Sequence, residues 1–493
     1  MTRGETREVF ASVPGLMEMT PVPDHPNLPV LAKGAEVELW IDKLAFGGKA
    51  LGRLDGLVVF VEHALPGQRV RVRITRKKSQ FAEGRVVEVL EQSPAYTPPF
   101  CRHFGVCGGC QWQDLAYEEQ LHWKHLQVQE ALRHLSGLSP EAIITPVASP
   151  QPRYYRNKME FTFAPRGWQA AGETAASRGL ALGLHVGDSF ERIFDLEECF
   201  LQSTQAPVIV REVRSWCRQS GLPAYDTRSH RGFWRFLVVR EGKRTGQTLV
   251  HVITSDQGDT KALGALGAHL QAKFPDLTTL VHSISRKRAQ VAGGEVSRTL
   301  WGPGYIEEEL SGLRLRISAQ SFLQTNTAAA ENLYQAVSRL GEFTGKETVW
   351  DLYCGAGSIA LYLAAQAHRV VGFELVQAAV DDAYVNCRLN GIDNCRFQAG
   401  DLKEQIRQAL RAGDPPRPEM VITDPPRAGM HPEVVQALLE LAPRRVIYVS
   451  CNPATLARDL GLLEKQYEIT TVQPFDLFPH TGHIESVTRL DRR

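Results

Sequence analysis

The chain has no uninterrupted apolar run approaching the roughly 18 residues that cross a bilayer, and its first residues, Met1-Thr2-Arg3-Gly4-Glu5-Thr6-Arg7, carry charge with no apolar stretch behind them. Neither a membrane span nor a secretory signal is expected, and the cytoplasm is the expected location. Net charge is also nearly absent: 56 Lys and Arg against 55 Asp and Glu give +1. The global field therefore neither demands nor excludes a polyanionic partner, and the local distribution has to decide. A disulfide framework is missing too, because nine cysteines are an odd number in a long chain without a signal; thiols, metal ligands or a nucleophile are the remaining uses. No segment repeats.

What is present is ample apolar content, 43% of 493 residues, enough to bury the cores of two to four domains. Residues 1–31 are Pro-rich and weakly patterned, so a flexible or loosely docked leader is expected. Over 32–92, short runs alternate apolar and polar residues between tight turns such as Gly47-Gly48, Asp55-Gly56 and Pro66-Gly67. That pattern predicts a small β-barrel. Val70, Val72 and Ile74 alternate with Arg69, Arg71 and Arg73, so period-two geometry puts the arginines on one face of one strand, a surface suited to a nucleic-acid backbone. A second basic stretch runs through Arg228, Arg231, Arg235, Arg240, Lys243 and Arg244; a solvated basic face is the plain alternative for either.

Residues 93–312 read as a mixed α+β domain, with a helix over Tyr117–Leu135 and strand-like runs at Met159–Phe163, Phe233–Arg240 and Thr248–Ile253 in no deducible order. From 313 to 493, strands at Thr348–Leu352, Arg369–Leu375, Arg396–Ala399, Met420–Thr423 and Arg445–Val449 alternate with helices. The rhythm predicts an α/β fold with a doubly wound, Rossmann-like parallel sheet. Its first strand runs into Tyr353-Cys354-Gly355-Ala356-Gly357-Ser358, a glycine turn that lets backbone approach a ligand. The second strand ends in Glu374, placed to accept from both ribose hydroxyls; the third is followed by Gly400-Asp401, and the fourth by Asp424-Pro425-Pro426-Arg427. A dinucleotide fingerprint would need a third glycine where Ala360 stands, so S-adenosylmethionine is the expected ligand.

Beside a methyl donor, a thiol has a specific use. Pyrimidine C5 is too weakly nucleophilic to attack a sulfonium methyl, but a thiolate adding at C6 makes it an enolate carbon; a base must later remove the C5 proton. Cys451, in Ser450-Cys451-Asn452-Pro453 at the end of the fifth strand, is the candidate nucleophile, and Glu485, in a turn entering a last strand, the candidate base. Cys354, Cys387, Cys395 and Cys217 are expected to be structural. Elsewhere, Cys101, Cys107 and Cys110 share one loop and Cys199 lies far downstream. Such a set could close around zinc or an iron-sulfur cluster, and spacing does not choose between them.

The N-terminal barrel segment resembles the TRAM domain, an RNA module of oligonucleotide-binding type. From Tyr96 onward, the segments Gln320–Asn326, Asp351–Gly357, Asp424–Gly429, Ser450–Pro453 and Phe478–Glu485 resemble the RNA uracil-C5-methyltransferase family. That resemblance implies 5-methyluridine formation with S-adenosylmethionine. It implies Cys451 as nucleophile, Glu485 as base, and Gln324, Tyr353, Ser358, Glu374, Asp401 and Asp424 as cofactor- or site-lining, with Ser358 and Asp401 at positions the family varies. It also implies a [4Fe-4S] cluster on Cys101, Cys107, Cys110 and Cys199. The expected partner is RNA, large-subunit rRNA ahead of tRNA, with a monomer acting away from membranes. Phe322 is expected either to stack on the target base or to be a core residue beside a helix cap at Asn326 or Thr327. Two other classes compete: an exocyclic-amine methyltransferase, whose stacking aromatic is replaced by Arg427 and which needs no thiol, and a non-catalytic RNA-binding assembly factor.

Overall fold

In the computed structural model, residues 31–135, 138–169, 179–187 and 189–493 are described; apart from Leu31, the leader expected at 1–31 lies outside them. Two compact units form, one closing at Ser93 and one holding Pro94–Arg493 together with Leu44–Gly48.

Strands β1 (Glu36–Leu44), β2 (Ala50–Leu54), β3 (Leu57–Glu62), β4 (Arg69–Lys77) and β5 (Phe81–Glu91) close into a barrel in the order β1-β2-β3-β5-β4. Leu39, Val59, Val61, Val70, Val72 and Ile74 fill it, and the alternate residues face out. Arg69, Arg71 and Arg73 share one outward face of β4, as expected, but glutamates partner them there. Arg73 pairs with Glu36, Arg71 with Glu38 and Glu88, and Arg69 with Glu38 and Glu91. The cause is register: Glu36 stands opposite Arg73 and Glu38 opposite Arg71, so glutamates of the same period share the arginine face.

In the second unit, α1 (Tyr117–Leu132) stops three residues before the expected Leu135. It is followed by β6 (Lys158–Ala164), β7 (Ala181–His185), β8 (Ile193–Asp195), α2 (Gln205–Gln219), β9 (Trp234–Glu241), β10 (Thr248–Thr254), α3 (Lys261–Lys273), β11 (Thr279–Ile284) and β12 (Val296–Trp301). The strands form one sheet ordered β12-β11-β10-β9-β6-β7-β8. The second basic stretch divides, with Arg228, Arg231 and Arg244 exposed and two of its arginines turned inward. Arg235, buried, donates to the carbonyls of Ser285, Lys287 and Ala289; Arg240, also buried, donates to that of Ser321; and Arg228 pairs with Glu191.

A hairpin, β13 (Tyr305–Leu310) and β14 (Leu313–Ser318), straddles the expected 312/313 boundary, with Leu310 facing Leu313. Helix α4 (Thr327–Gly341) follows, capped by Asn326, whose side chain accepts from the Ala329 amide. The last sheet contains β15 (Thr348–Leu352), β16 (Arg369–Glu374), β17 (Cys395–Ala399), β18 (Met420–Thr423), β19 (Arg445–Ser450), β20 (Tyr467–Phe475) and β21 (Glu485–Arg492), in the order β17-β16-β15-β18-β19-β21-β20. β15 to β19 are parallel. The sheet is mixed rather than wholly parallel, because β21 inserts antiparallel between β19 and β20.

Helices α5 (Ser358–Ala364), α6 (Gln377–Asn390), α7 (Leu402–Ala412), α8 (Pro432–Leu441) and α9 (Pro453–Leu463) complete the double winding. α4, α5 and α6 cover one face through Leu333, Val337, Leu363, Val380 and Ala383. α1, α7, α8 and α9 cover the other through Val128, Ile406, Leu438 and Leu460. With both faces buried, each central strand is a near-continuous apolar run. No helix among the described residues is long and apolar enough to cross a membrane.

Candidate active site

Strand order reverses between β15 and β18, and a cavity of about 730 Å³ opens at the carboxyl ends of these strands, where open α/β sheets bind ligands. Gln324, Tyr353, Ser358, Glu374, Asp401, Asp424, Cys451 and Glu485 all line it.

One end is shaped for a nucleotide-like ligand. Gly357 caps α5 at φ +80°, and a Cβ there would run into Leu361 and Phe397, which explains the glycine. The amides of Gly355 and Val376 donate to the two oxygens of Glu374 at 3.0 and 2.9 Å, fixing its carboxylate. Ser358 Oγ meets the Tyr334 hydroxyl at 2.7 Å, and Asp401 caps α7 by accepting from the Lys403 amide. Tyr353 sits at φ +65°, strain of the kind that gathers at functional sites.

The floor is acidic. Asp351, fully buried, has no hydrogen-bond partner on either oxygen among the described residues, and burial, then the Asp424 charge, pushes it well above the usual carboxylate range. Burial raises Asp424 to about 7, with Gln324 Nε2 at 3.5 Å opposing. Glu485, buried with Oε2 unpartnered, is likewise driven well above its ordinary value by burial and then by Asp424.

Cys451 lies between β19 and α9. The register pairs Ser450 with Ser486, so one step further along the same ladder Cys451 faces Glu485. Asn452 holds the corner: its side chain accepts from the Ala454 amide and donates to the Arg427 carbonyl, each at 3.0 Å. Burial, then Glu485 and Asp424, raises the thiol to about 12, while Arg427 pulls it down.

Arg427 and His483 also line the cavity, with Arg427 Nη2 at 3.3 Å from His483 Nδ1. Arg427, which the sequence presents only where an aromatic would stand, lies close enough to favour ionisation of both Cys451 and Glu485. Phe322 is 64% exposed at the cavity, so it is no core residue, although Asn326 is indeed the helix cap. Cys217, Cys387 and Cys395 are buried; Cys354 is buried too but forms part of the cavity wall.

Cys101, Cys107, Cys110 and Cys199 line a second cavity of about 870 Å³. Burial raises Cys107 and Cys110 to about 12, and the facing thiols of Cys199 and Cys101 add to it. The Gly109 amide donates to Cys107 Sγ at 3.3 Å. Thiols that disfavour one another's ionisation are a donor set that a cationic centre would relieve, so the four residues fit a metal group chemically. No set of three His, Cys, Asp or Glu among the described residues is arranged to hold a single metal ion.

Fold and cavity define a methyltransferase. Residues 296–493 match the family described as tRNA (Uracil-5-)-methyltransferase, and residues 31–87 match the TRAM domain. An uncharacterized RNA methyltransferase of Nitratidesulfovibrio vulgaris is 42% identical over 94% of this chain and 97% of its own; one of Porphyromonas gingivalis is 42% identical over 92% and 99%. Among solved structures, the tRNA (uracil-54, C5)-methyltransferase of Pyrococcus abyssi, in complex with S-adenosyl-L-homocysteine, superposes with a TM-score of 0.71 at 27% identity, covering 92% of this chain and all of that one. The chain belongs to the RNA uracil-5-methyltransferase family.

Proposed function

We propose that this enzyme uses S-adenosylmethionine to methylate C5 of one uridine in RNA through a covalent bond between Cys451 and C6. The observation that carries the reading is the juxtaposition of a thiol and a carboxyl, Cys451 and Glu485, across adjacent strands inside a nucleotide-sized cavity.

Cys451 gives its proton to solvent and its sulfur adds to C6, and the ring electrons move to O4, making C5 nucleophilic. A thiol near 12 is almost wholly protonated at neutral pH, so attack needs help: Arg427 and the α9 N-terminus both favour the thiolate. Bound S-adenosylmethionine supplies an electrophilic methyl on a positive sulfur, whose charge draws nearby carboxyls toward ionisation. Once C5 has bonded to the methyl group and the donor's sulfur has kept the pair of the broken bond, Glu485 takes the C5 proton; the C5–H electrons restore the ring double bond, the C6–S bond breaks and its electron pair returns to Cys451. Glu374, Asp401 and Asp351 line the cavity and would hold the polar parts of the donor, and Phe322, exposed there, would stack on the extruded base. Every one of these groups comes from one chain, so a monomer suffices, and reduced thiols suit the cytoplasm.

Cys101, Cys107, Cys110 and Cys199 would hold a [4Fe-4S] cluster, which supplies no step of the methylation. Anaerobically purified protein should be brown with about four irons per chain; a colourless, zinc-loaded preparation refutes this assignment.

Large-subunit rRNA is the target we favour, on the TRAM match combined with the four-cysteine site. tRNA is the second reading, favoured by the Pyrococcus abyssi neighbour; mapping the methyl mark lost from a deletion strain decides. For the mechanism, RNA containing 5-fluorouridine should trap a denaturant-resistant adduct with the parent and none with Cys451→Ala. An adduct with the alanine variant overturns the assignment.

A further inference from the structure

The turn that carries Glu485 into β21 is held at His480 and Gly482 by residues leading out of the four-cysteine loop and by Gln120, while Lys124, Tyr155 and Asn326 hold the carbonyls of Phe478, Pro479 and Leu477. Immediately after Cys110, the amides of Gln111 and Trp112 both donate to the His480 carbonyl, at 2.8 and 3.1 Å. The His480 amide in turn donates to Gln120 Oε1 at 2.8 Å. Both backbone groups of one residue are therefore clamped, and that residue is strained: His480 stands at φ +66°, a left-handed conformation that a side chain disfavours and that persists only where surroundings enforce it.

The clamp is itself rigid. Gln120 is fully buried, and its Nε2 donates at 2.8 Å to the carbonyls of both Trp112 and Leu115, tying α1 to the segment after Cys110. Gln111 Oε1 accepts from the Gly482 amide at 3.0 Å. On the other side of the cysteine loop, Phe100 packs edge-on against the His480 ring at 5.0 Å. By contrast, Cys451 is positioned by Asn452, Arg427 and α9, within the last sheet's own loops.

We infer that Gln111, Trp112 and Gln120 are positioning residues through which the four-cysteine loop sets the placement of Glu485, so that this loop governs proton abstraction from C5 and not the attack of Cys451. The inference rests on the covalent reading above. It gives the cysteine site a mechanical role: anything that closes the four thiols around a centre fixes Cys110, and Cys110 adjoins the clamp.

The two half-reactions separate the roles. Full-length parent, Gln120→Leu, Gln111→Ala and Glu485→Gln are each incubated with S-adenosylmethionine and RNA from cells lacking the enzyme, and with a 5-fluorouridine transcript of the same RNA. Gln120→Leu and, more weakly, Gln111→Ala should form the fluorouridine adduct within about twofold of the parent. On ordinary RNA they should accumulate a denaturant-resistant adduct about tenfold or more above it, as Glu485→Gln should also do. Loss of both activities together in a folded Gln120→Leu, or turnover by it without accumulation, overturns the inference while leaving the covalent reading standing. Absence of a fluorouridine adduct with the parent sinks both. Should Gln120→Leu fail to fold, Gln111→Ala carries the same comparison. A readout independent of turnover is amide exchange: in Cys110→Ser, His480 and Gly482 should exchange faster while Ala454 does not, and unchanged exchange at His480 overturns the link to the cysteines.

Discussion

Asp424→Asn should make the protein more stable at alkaline pH while impairing methylation. The carboxyl lies close enough to Asp351 and Glu485 to raise both, and burial lifts it from 3.8 to about 7 against the Gln324 hydrogen bond. Three units at ~1.4 kcal/mol each is ~4 kcal/mol. Since the carboxyl faces the cavity and not closed core, solvent screens part of this, and ~2–4 kcal/mol is the expected range. The sign follows from proton affinity. The folded chain holds this proton more tightly than the unfolded chain, so the contribution to stability is complete below pH ~4 and is lost as pH rises through about 7. Asparagine does not titrate, and its amide still faces Gln324. The gain of the variant should therefore be small at pH 4.5, rise to its full value by pH 8 and stay flat above. Urea denaturation followed by circular dichroism at several pH values measures it, read from the transition of the Pro94–Arg493 unit, since a chain of two units need not unfold in one step. A gain independent of pH would mean a packing effect, and no gain at pH 8.5 would refute the buried-charge argument. Stability withheld at this position is what a site pays for holding an ionisable group where the chemistry needs one.

Lys124→Met should cost ~3–5 kcal/mol in the same assay, because Lys124 Nζ and Asp476 form a buried pair at 2.6 Å and the orphaned carboxylate would be left with neutral donors such as the Phe478 amide. Adding Asp476→Leu should recover most of the loss, and failure to recover would place the cost in packing. Glu38→Gln, which removes one of the two carboxylate partners of Arg69 and of Arg71 in the barrel, should raise RNA affinity at low salt and steepen the log–log salt dependence by about one unit; an unchanged slope removes this face from the RNA path. The initial rate of fluorouridine adduct formation should climb across pH 6.5–9 without a plateau, since the Cys451 thiol is raised to about 12. A plateau near the ordinary thiol pKa of ~8.5 would show an unperturbed thiol.

The strands of the catalytic sheet were legible because burial on both faces turns them into apolar runs, and the site residues were legible because each follows such a run. β20 was not: Glu468, Thr470, Thr471 and Gln473 interrupt its apolar residues, the register slips between Ile469 and Thr471, and Pro474 lies within it. Arg235 and Arg240 misled for a different reason. Charge density in sequence says nothing about carbonyls brought from fifty or eighty residues away, and a buried arginine satisfied by them looks the same on paper as one in solvent. The barrel arginines could have been read correctly, since Glu36 and Glu38 alternate with the period of Arg71 and Arg73 and lie on the same face once the strands pair.

The one feature no motif could supply is the adjacency of nucleophile and base. In a wholly parallel sheet every chain leaves at the same edge, so two groups at that edge come from consecutive strand ends with a helix between them. An antiparallel strand enters where its neighbour leaves, and its first residue stands beside the neighbour's last. β21 enters at Glu485 as β19 ends before Cys451, and the Ser450–Ser486 pair fixes the match to one residue. A slip of one position would turn each side chain to the opposite face of the sheet. Insertion of one glycine between Glu485 and Ser486, which keeps Ser486 opposite Ser450 and moves Glu485 one position back, should therefore retain Cys451-dependent adduct formation on fluorouridine RNA and abolish release from ordinary RNA. Normal release by that insertion variant would show that the base reaches C5 independently of strand register.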